Sequence, residues 1–141
     1  MFNKILVAYD ESGEADKALR AAINLAKELH AELCVVSVIE PYPTYYAFVP
    51  PAFALSSNQW REQNLEKYAS LQQKARQQAQ EAGLWLDTQL VEGDEVGGIL
   101  DAAERYRAEL IILGMRKHKL LVGHTAHDIA ERSPCAVMGV R

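Results

Sequence analysis

The sequence predicts an α/β protein built on a three-layer, doubly wound sheet of five parallel strands. Short apolar runs rich in branched residues, typical of strands buried on both faces, alternate with longer segments of helical periodicity. The resulting order β-α-β-α-β-α-β-α-β joins parallel strands through right-handed crossovers. With 141 residues, 49% of them hydrophobic, we expect a single domain over residues 1–141.

The first predicted unit is a strand, an acidic turn and a helix. Residues 4–9 (KILVAY) form an apolar run that ends at Asp10, and Ser12 is a good N-cap for the following helix. Asp10 lies where ligands of open α/β sheets bind, and its side chain can also cap the turn. The expected inner stripe of this helix is Ala15, Ala18, Leu19, Ala22, Ala26 and Leu29.

An irregular aromatic segment, residues 40–57, follows the second predicted strand at residues 33–39. Four of the five prolines lie in this segment and exclude both a long helix and a central strand. The segment is too aromatic for a disordered linker. Its rings belong to Tyr42, Tyr45, Tyr46, Phe48 and Phe53. We expect these rings either to lie over the sheet end and shape a pocket, or to pack in an oligomer contact.

The alternation continues to the end of the chain. Residues 58–82 are helical with a stop at Gly83, and residues 84–91 resemble an edge strand with one buried face. The third helix begins at residues 93–95, and its predicted inner residues are Val96, Ile99, Leu100, Ala103 and Tyr106. A strand over residues 110–113 precedes a fourth helix with Val122, Ala126, Ile129 and Ala130 inward. Ser133-Pro134 halts that helix before the last strand, residues 136–140.

Residues 110–125 (LIILGMRKHKLLVGHT) combine a strand, a basic loop and the start of a helix. Backbone N–H groups at Gly123, His124 and Thr125 would be unpaired there, beside the basic residues 116–119. Such a position attracts anions, phosphates above all. The alternative is that Gly114 only turns the chain and that the basic residues are solvated.

Composition argues against several classes of protein. The net charge of −4 disfavours nucleic acid as a partner. No apolar run is long enough to span a membrane, and residues 1–3 lead straight into a strand without a signal-peptide core. We therefore expect a cytoplasmic protein, in which Cys34 and Cys135 are free.

No catalytic constellation stands out. His124 and His127 lie one helical turn apart near Asp128, but a third fixed metal ligand is missing. Ser12 has no nearby histidine in the sequence, and neither cysteine lies in a motif typical of reactive thiols. We expect neither a dedicated enzyme nor a metal site.

The chain resembles the universal stress protein family over its whole length. The resemblance rests on residues 4–12, 92–94, 99–103, 110–114 and 133–137. It implies a Rossmann-like sheet of strand order 3-2-1-4-5 and a cytoplasmic location. It also implies a homodimer formed by pairing of the final strands, residues 136–140.

Nucleotide-binding members of that family carry two glycines three positions apart, a loop of about nine residues, then glycine followed by Ser or Thr. Gly114 and Gly123 match the outer glycines, Lys117 replaces the middle one, and the loop between is shorter. Asp10 and the backbone near Val38 match the positions that hold ribose and adenine. The candidate cofactor-binding residues are Ala8, Asp10, Val38, Gly114, Arg116, Lys117, Gly123, His124 and Thr125.

The sequence is compatible with three functions. The first is a dimeric stress-response protein that acts through protein or ligand binding and requires no cofactor. The second is an ATP- or AMP-binding sensor whose nucleotide state controls a contact with a protein partner. The third is a small-molecule module that uses the aromatic residues 42–53 as a pocket wall.

Overall fold

A computed structural model describes residues 2–115 and 125–141. Its five strands form one parallel sheet of order β3-β2-β1-β4-β5. The strands are β1 (Lys4–Ala8), β2 (Glu32–Ile39), β3 (Leu86–Glu92), β4 (Leu110–Gly114) and β5 (Ala136–Val140). The α-helices are α1 (Gly13–Leu29), α2 (Ser57–Glu81), α3 (Glu95–Tyr106) and α4 (Thr125–Arg132). The predicted fold class and strand order are confirmed.

The core lies on both faces of the sheet. Ile5, Leu6 and Val7 of the central strand β1 are completely buried. Ile5 and Val7 pack in the layer of α1 and α2, whereas Leu6 packs in the layer of α3 and α4. Continuous apolar runs in the sequence therefore correspond to strands covered by helices on both sides.

Side-chain caps set the starts of three helices. Ser12 Oγ accepts a hydrogen bond from Ala15 N–H at 3.1 Å, which confirms the predicted cap of α1. Asp94 accepts one from Gly97 N–H at 2.8 Å at the start of α3. Ser56 and Gln59 form a reciprocal capping box at the start of α2.

Several predicted inner positions are wrong. Leu29 is 40% exposed because it is the last residue of α1, and Ile23 is buried in the same helix instead. Ala130 is exposed, so Ile129 is the one fully buried residue of α4, while Val122 lies outside the described residues.

The aromatic segment contains a short 3-10 helix, Thr44–Phe48, which fits between Pro43 and Pro50. None of the helices in the two described ranges is long and apolar enough to cross a bilayer.

Gly114 is a packing position at the end of β4. A Cβ atom there would lie 2.5 Å from the backbone carbonyl carbon of Glu14, in the first turn of α1. Because backbone atoms cannot rotate out of the way, only glycine permits this close approach. Gly114 is the last residue of β4 and its φ is not positive, so its packing role adds to whatever turn follows it; the basic residues 116–119 lie outside the described residues.

We expect Gly114→Ala to lower the free energy of unfolding by about 1–3 kcal/mol, the usual cost of overpacking a core. Urea denaturation followed by circular dichroism measures this loss. Gly13→Ala is the matched control, because a Cβ atom at Gly13 meets no atom within 4 Å. Equal losses in the two variants would contradict the packing role.

Candidate functional site

A cleft with a volume of about 610 Å³ opens at the carboxyl ends of β1, β2 and β4. The connections of the sheet diverge here, because β1 pairs with β2 on one side and with β4 on the other. Ligands of open α/β sheets bind at such a switch point, and the volume is typical of small-molecule sites.

Five of the nine predicted site residues lie in the described part of the chain. All five line the cleft: Ala8, Asp10, Val38, Gly114 and Thr125. They come from β1, the following turn, β2, β4 and the start of α4. The other four, Arg116, Lys117, Gly123 and His124, lie outside the described residues.

Asp10 orders the turn between β1 and α1. Its Oδ1 atom accepts a hydrogen bond from the backbone N–H of Ser12 at 2.8 Å, as expected for a capping carboxylate. The same residue lines the cleft. The capping interaction and a position at the candidate site therefore occur together.

The backbone beside Asp10 is fixed by further hydrogen bonds. Ser37 Oγ donates to the carbonyl oxygen of Tyr9 at 2.8 Å, and the Tyr9 hydroxyl donates to Asp16 Oδ1 at 3.0 Å. Burial, reinforced by the hydrogen bond to Asp16, raises the pKa of Tyr9 to about 12. The exit of β1 into the cleft is thus held from both β2 and α1.

The N-terminal half of α2 supplies a wall that the sequence analysis missed. Four of its residues line the cleft and lie on one face of the helix: Trp60, Asn64, Lys67 and Tyr68. Asn64 Nδ2 donates to the carbonyl oxygen of Trp60 at 2.8 Å. A sequence signal existed, because these residues share one helical face that is polar and aromatic rather than apolar.

The aromatic segment supports this wall from outside the cleft. The Tyr42 and Tyr46 rings lie 6.4 and 6.2 Å from the Trp60 ring, centroid to centroid. None of residues 42–53 lines the cleft, so the predicted pocket wall is wrong for the segment itself. Phe48 and Phe53 are 90% and 81% exposed. A role for these two rings in an oligomer contact stays a prediction.

Acidic side chains surround the α2 side of the cleft. The pKa of Tyr68 is raised to about 12, first because its hydroxyl is partly buried and then because negative charges lie nearby. These charges belong to Glu11, Asp10, Glu40 and Glu95. All four acids line the cleft. Across the described ranges, Lys67 is the only lysine or arginine among the lining residues. Among the described lining residues, this side of the cleft therefore carries more carboxylates than cationic groups.

His127, Asp128 and Glu131 on α4 place potential metal-ligating atoms within 4.8 Å of one another. His127 Nδ1 lies 3.8 Å from both the Asp128 and the Glu131 carboxylate. His124, which the sequence pairs with His127, lies outside the described residues. Acidic groups on helix surfaces commonly cluster in this way, and we assign no metal to them.

The fold and cleft define an open α/β protein with a candidate ligand site at the switch point of the sheet. The universal stress protein family matches the chain over residues 1–141, and the chain belongs to this family. Universal stress protein YxiE of Bacillus subtilis is 31% identical over 151 residues, covering 100% of both chains.

Solved structures with the same fold include universal stress protein UspA from Lactobacillus plantarum. It is 25% identical, with a TM-score of 0.78 over 99% of this chain and 98% of that chain. A universal stress protein in complex with cAMP is 18% identical, with a TM-score of 0.76 over 99% of this chain and 97% of that chain. The universal stress protein from Archaeoglobus fulgidus in complex with dAMP is 19% identical, with a TM-score of 0.74 over 99% of this chain and 98% of that chain. At these identities the two complexes show a shared fold.

High pH should destabilise the protein through Tyr9 and Tyr68, whose pKa values rise from 10.0 to about 12 on folding. The folded state keeps these protons more tightly than the unfolded chain does. The stabilisation is therefore intact below the unfolded pKa and is lost as pH rises through the folded pKa. Absorbance of tyrosinate at alkaline pH tests this. Tyr68→Phe should remove a titration step near pH 12. If Tyr68→Phe instead removed a titration step near pH 10.0, the raised pKa of Tyr68 would be contradicted.

Proposed function

We propose that this universal stress protein binds adenosine or an adenine mononucleotide in the cleft and acts in the cytoplasm through that binding. The proposal rests chiefly on the convergence of Ala8, Asp10, Val38, Gly114 and Thr125 on one cleft. It is supported by the relatives named for complexes with cAMP and dAMP. Both of those ligands combine adenine, a sugar and a single phosphate.

Each part of the ligand has a candidate partner. In the proposed complex the backbone at Val38 contacts the base, and the Asp10 carboxylate accepts hydrogen bonds from the sugar. The phosphate lies towards Gly114 and Thr125, near the start of α4. A carboxylate suits a sugar because it accepts hydrogen bonds from hydroxyl groups.

A ligand with one phosphate or none suits the cleft better than ATP. The Glu11 and Glu40 carboxylates line the cleft, and Lys67, the one lysine among the described lining residues, is paired with Glu11 at 2.8 Å. Each additional phosphate would add negative charge near these carboxylates. The sequence supports the same preference, because Lys117 replaces a glycine and the loop before Gly123 is short.

A sensor role is favoured by one contact. Trp60 lines the cleft and also packs against Tyr42 and Tyr46, whose segment carries the exposed Phe48. A ligand that moves Trp60 would move the aromatic segment with it. The proposed sensor would therefore report nucleotide binding to a protein partner through this segment.

Titration calorimetry with adenosine, AMP and ATP tests the binding function. We expect adenosine and AMP to bind more tightly than ATP, whose Kd should be weaker than about 100 μM. Asp10→Ala should weaken binding by about 1.5–3 kcal/mol, the range for a hydrogen bond to a charged group.

Asp10→Asn is the matched control for this experiment, because asparagine can still accept the Ser12 N–H bond that orders the turn. It should preserve stability while weakening the ligand contact. Equal affinity in all three proteins would contradict the role of Asp10, and tight ATP binding would contradict the preference for mononucleotides.

We also propose a homodimer formed by pairing of β5 with its symmetry copy. Residues Ala136–Val140 form a sheet edge that contains neither lysine nor proline, and Met138 is 39% exposed. The opposite edge is partly covered, because Gln72 and Arg76 of α2 donate to the carbonyl oxygens of Gln89 and Leu86 on β3.

Sedimentation equilibrium at about 50 μM should give the mass of a dimer, since mass action favours association at such concentrations. Val137→Pro removes a backbone donor from the edge and should give a monomer. Met138→Lys tests the same edge with a milder change that adds charge at an exposed position. Circular dichroism must show both variants folded. A monomeric parent protein would refute the proposed dimer.

A further inference from the structure

The Tyr68 hydroxyl is a hydrogen-bond donor on the α2 wall of the cleft. Tyr68 is half-buried and lines the cleft. Within the described ranges, no group accepts a hydrogen bond from its hydroxyl. Partial burial costs such a hydroxyl part of its hydration, and a ligand that accepts the hydrogen bond would offset that cost.

The other polar side chains of this wall already have partners. Asn64 Nδ2 donates to the carbonyl oxygen of Trp60 at 2.8 Å. Trp60 Nε1 donates to the backbone carbonyl just after β2 at 3.4 Å, and Lys67 Nζ lies 2.8 Å from Glu11 Oε1. Among the described α2 residues that line the cleft, Tyr68 is therefore the one whose polar group has no hydrogen-bond partner.

Two contacts place the Tyr68 ring beside the turn that contains Asp10. Lys67 Nζ lies 5.0 Å from the centroid of the Tyr68 ring and 2.8 Å from Glu11 Oε1, and Glu11 directly follows Asp10 in the chain. The Asp10 charge also contributes to the raised pKa of Tyr68, about 12, so the hydroxyl stays protonated at neutral pH. Tyr68 thus lies beside the part of the cleft in which the proposed complex has its sugar.

Asp10 and Tyr68 together suit a ligand group that both donates and accepts hydrogen bonds. A carboxylate only accepts, whereas a protonated phenol can donate. A sugar hydroxyl can donate to the first and accept from the second at the same time. A protonated amine only donates and a phosphate oxygen only accepts, so neither can satisfy both residues.

We propose that the Tyr68 hydroxyl donates a hydrogen bond to the 2′ hydroxyl of the ribose, so that the cleft prefers ribonucleosides to 2′-deoxyribonucleosides. The inference rests on the proposed function and adds a specificity-determining residue opposite Asp10. The 2′ hydroxyl is the one beside the carbon that carries the base, and α2 also flanks the base end of the cleft, where Trp60 contacts the chain after β2. The 3′ hydroxyl lies nearer the phosphate, towards Gly114 and Thr125.

The experiment measures the Kd values of adenosine, 2′-deoxyadenosine and 3′-deoxyadenosine by calorimetry in the parent protein and in Tyr68→Phe. This variant removes only the hydroxyl and keeps the ring beside Lys67. It should weaken the binding of adenosine and 3′-deoxyadenosine by about three- to ten-fold, the scale of one hydrogen bond. It should leave 2′-deoxyadenosine unchanged, because that ligand lacks the accepting group.

Tyr106→Phe is the matched control. Tyr106 belongs to α3 and does not line the cleft, and its buried hydroxyl also has no hydrogen-bond partner among the described residues. The control removes the same chemical group at a distance from the proposed ligand. It should change none of the three Kd values, and circular dichroism must show both variants folded.

Several outcomes overturn the inference while the proposed function stands. They are equal Kd values for adenosine and 2′-deoxyadenosine in the parent protein, equal weakening of all three ligands in Tyr68→Phe, and an effect of Tyr68→Phe that disappears with 3′-deoxyadenosine instead. The first comparison requires no variant. Failure of the parent protein to bind any of the three nucleosides or AMP overturns the proposed function and this inference together.

Discussion

Helices bury β1, β2 and β4 on both faces of the sheet, and this burial decides where polar residues can lie. Ile5, Leu6 and Val7 have no accessible surface, so no polar group can occupy the middle of the central strand. Lys4 at the start of β1 is the one polar residue of β1 and β4, and the buried Ser37 of β2 satisfies its hydroxyl through the Tyr9 carbonyl. Because parallel strands end at the same edge, Asp10, Val38 and Gly114 meet in one cleft although they are far apart in the chain.

The close contact of α1 with β4 shapes this edge. The first turn of α1 lies against Gly114, while Ser12 and Asp10 order the chain just before the helix. Packing alone requires a glycine at position 114. A glycine that resembles part of a phosphate-binding motif thus also lets α1 pack closely against β4. This packing role does not depend on phosphate binding.

The two halves of α2 have different environments. Gln72, Ala75 and Ala79 of its C-terminal half are buried against the sheet and anchor the helix. The N-terminal half extends past the sheet end, where Trp60, Asn64, Lys67 and Tyr68 line the cleft instead of the core. Acidic residues lie around this wall, and Lys67 pairs with one of them, Glu11.

The fold class, the Ser12 cap of α1 and five residues that line the cleft were predictable from the sequence, and the strand order from its family resemblance. These follow from local periodicity and short motifs, which require no knowledge of distant contacts. The cleft wall formed by α2 and the packing of the aromatic segment behind Trp60 depend on contacts between distant parts of the chain. The exposure of Leu29 also depends on the tertiary structure. Periodicity shows that residues share a face, but what covers that face depends on how far each helix extends past the sheet.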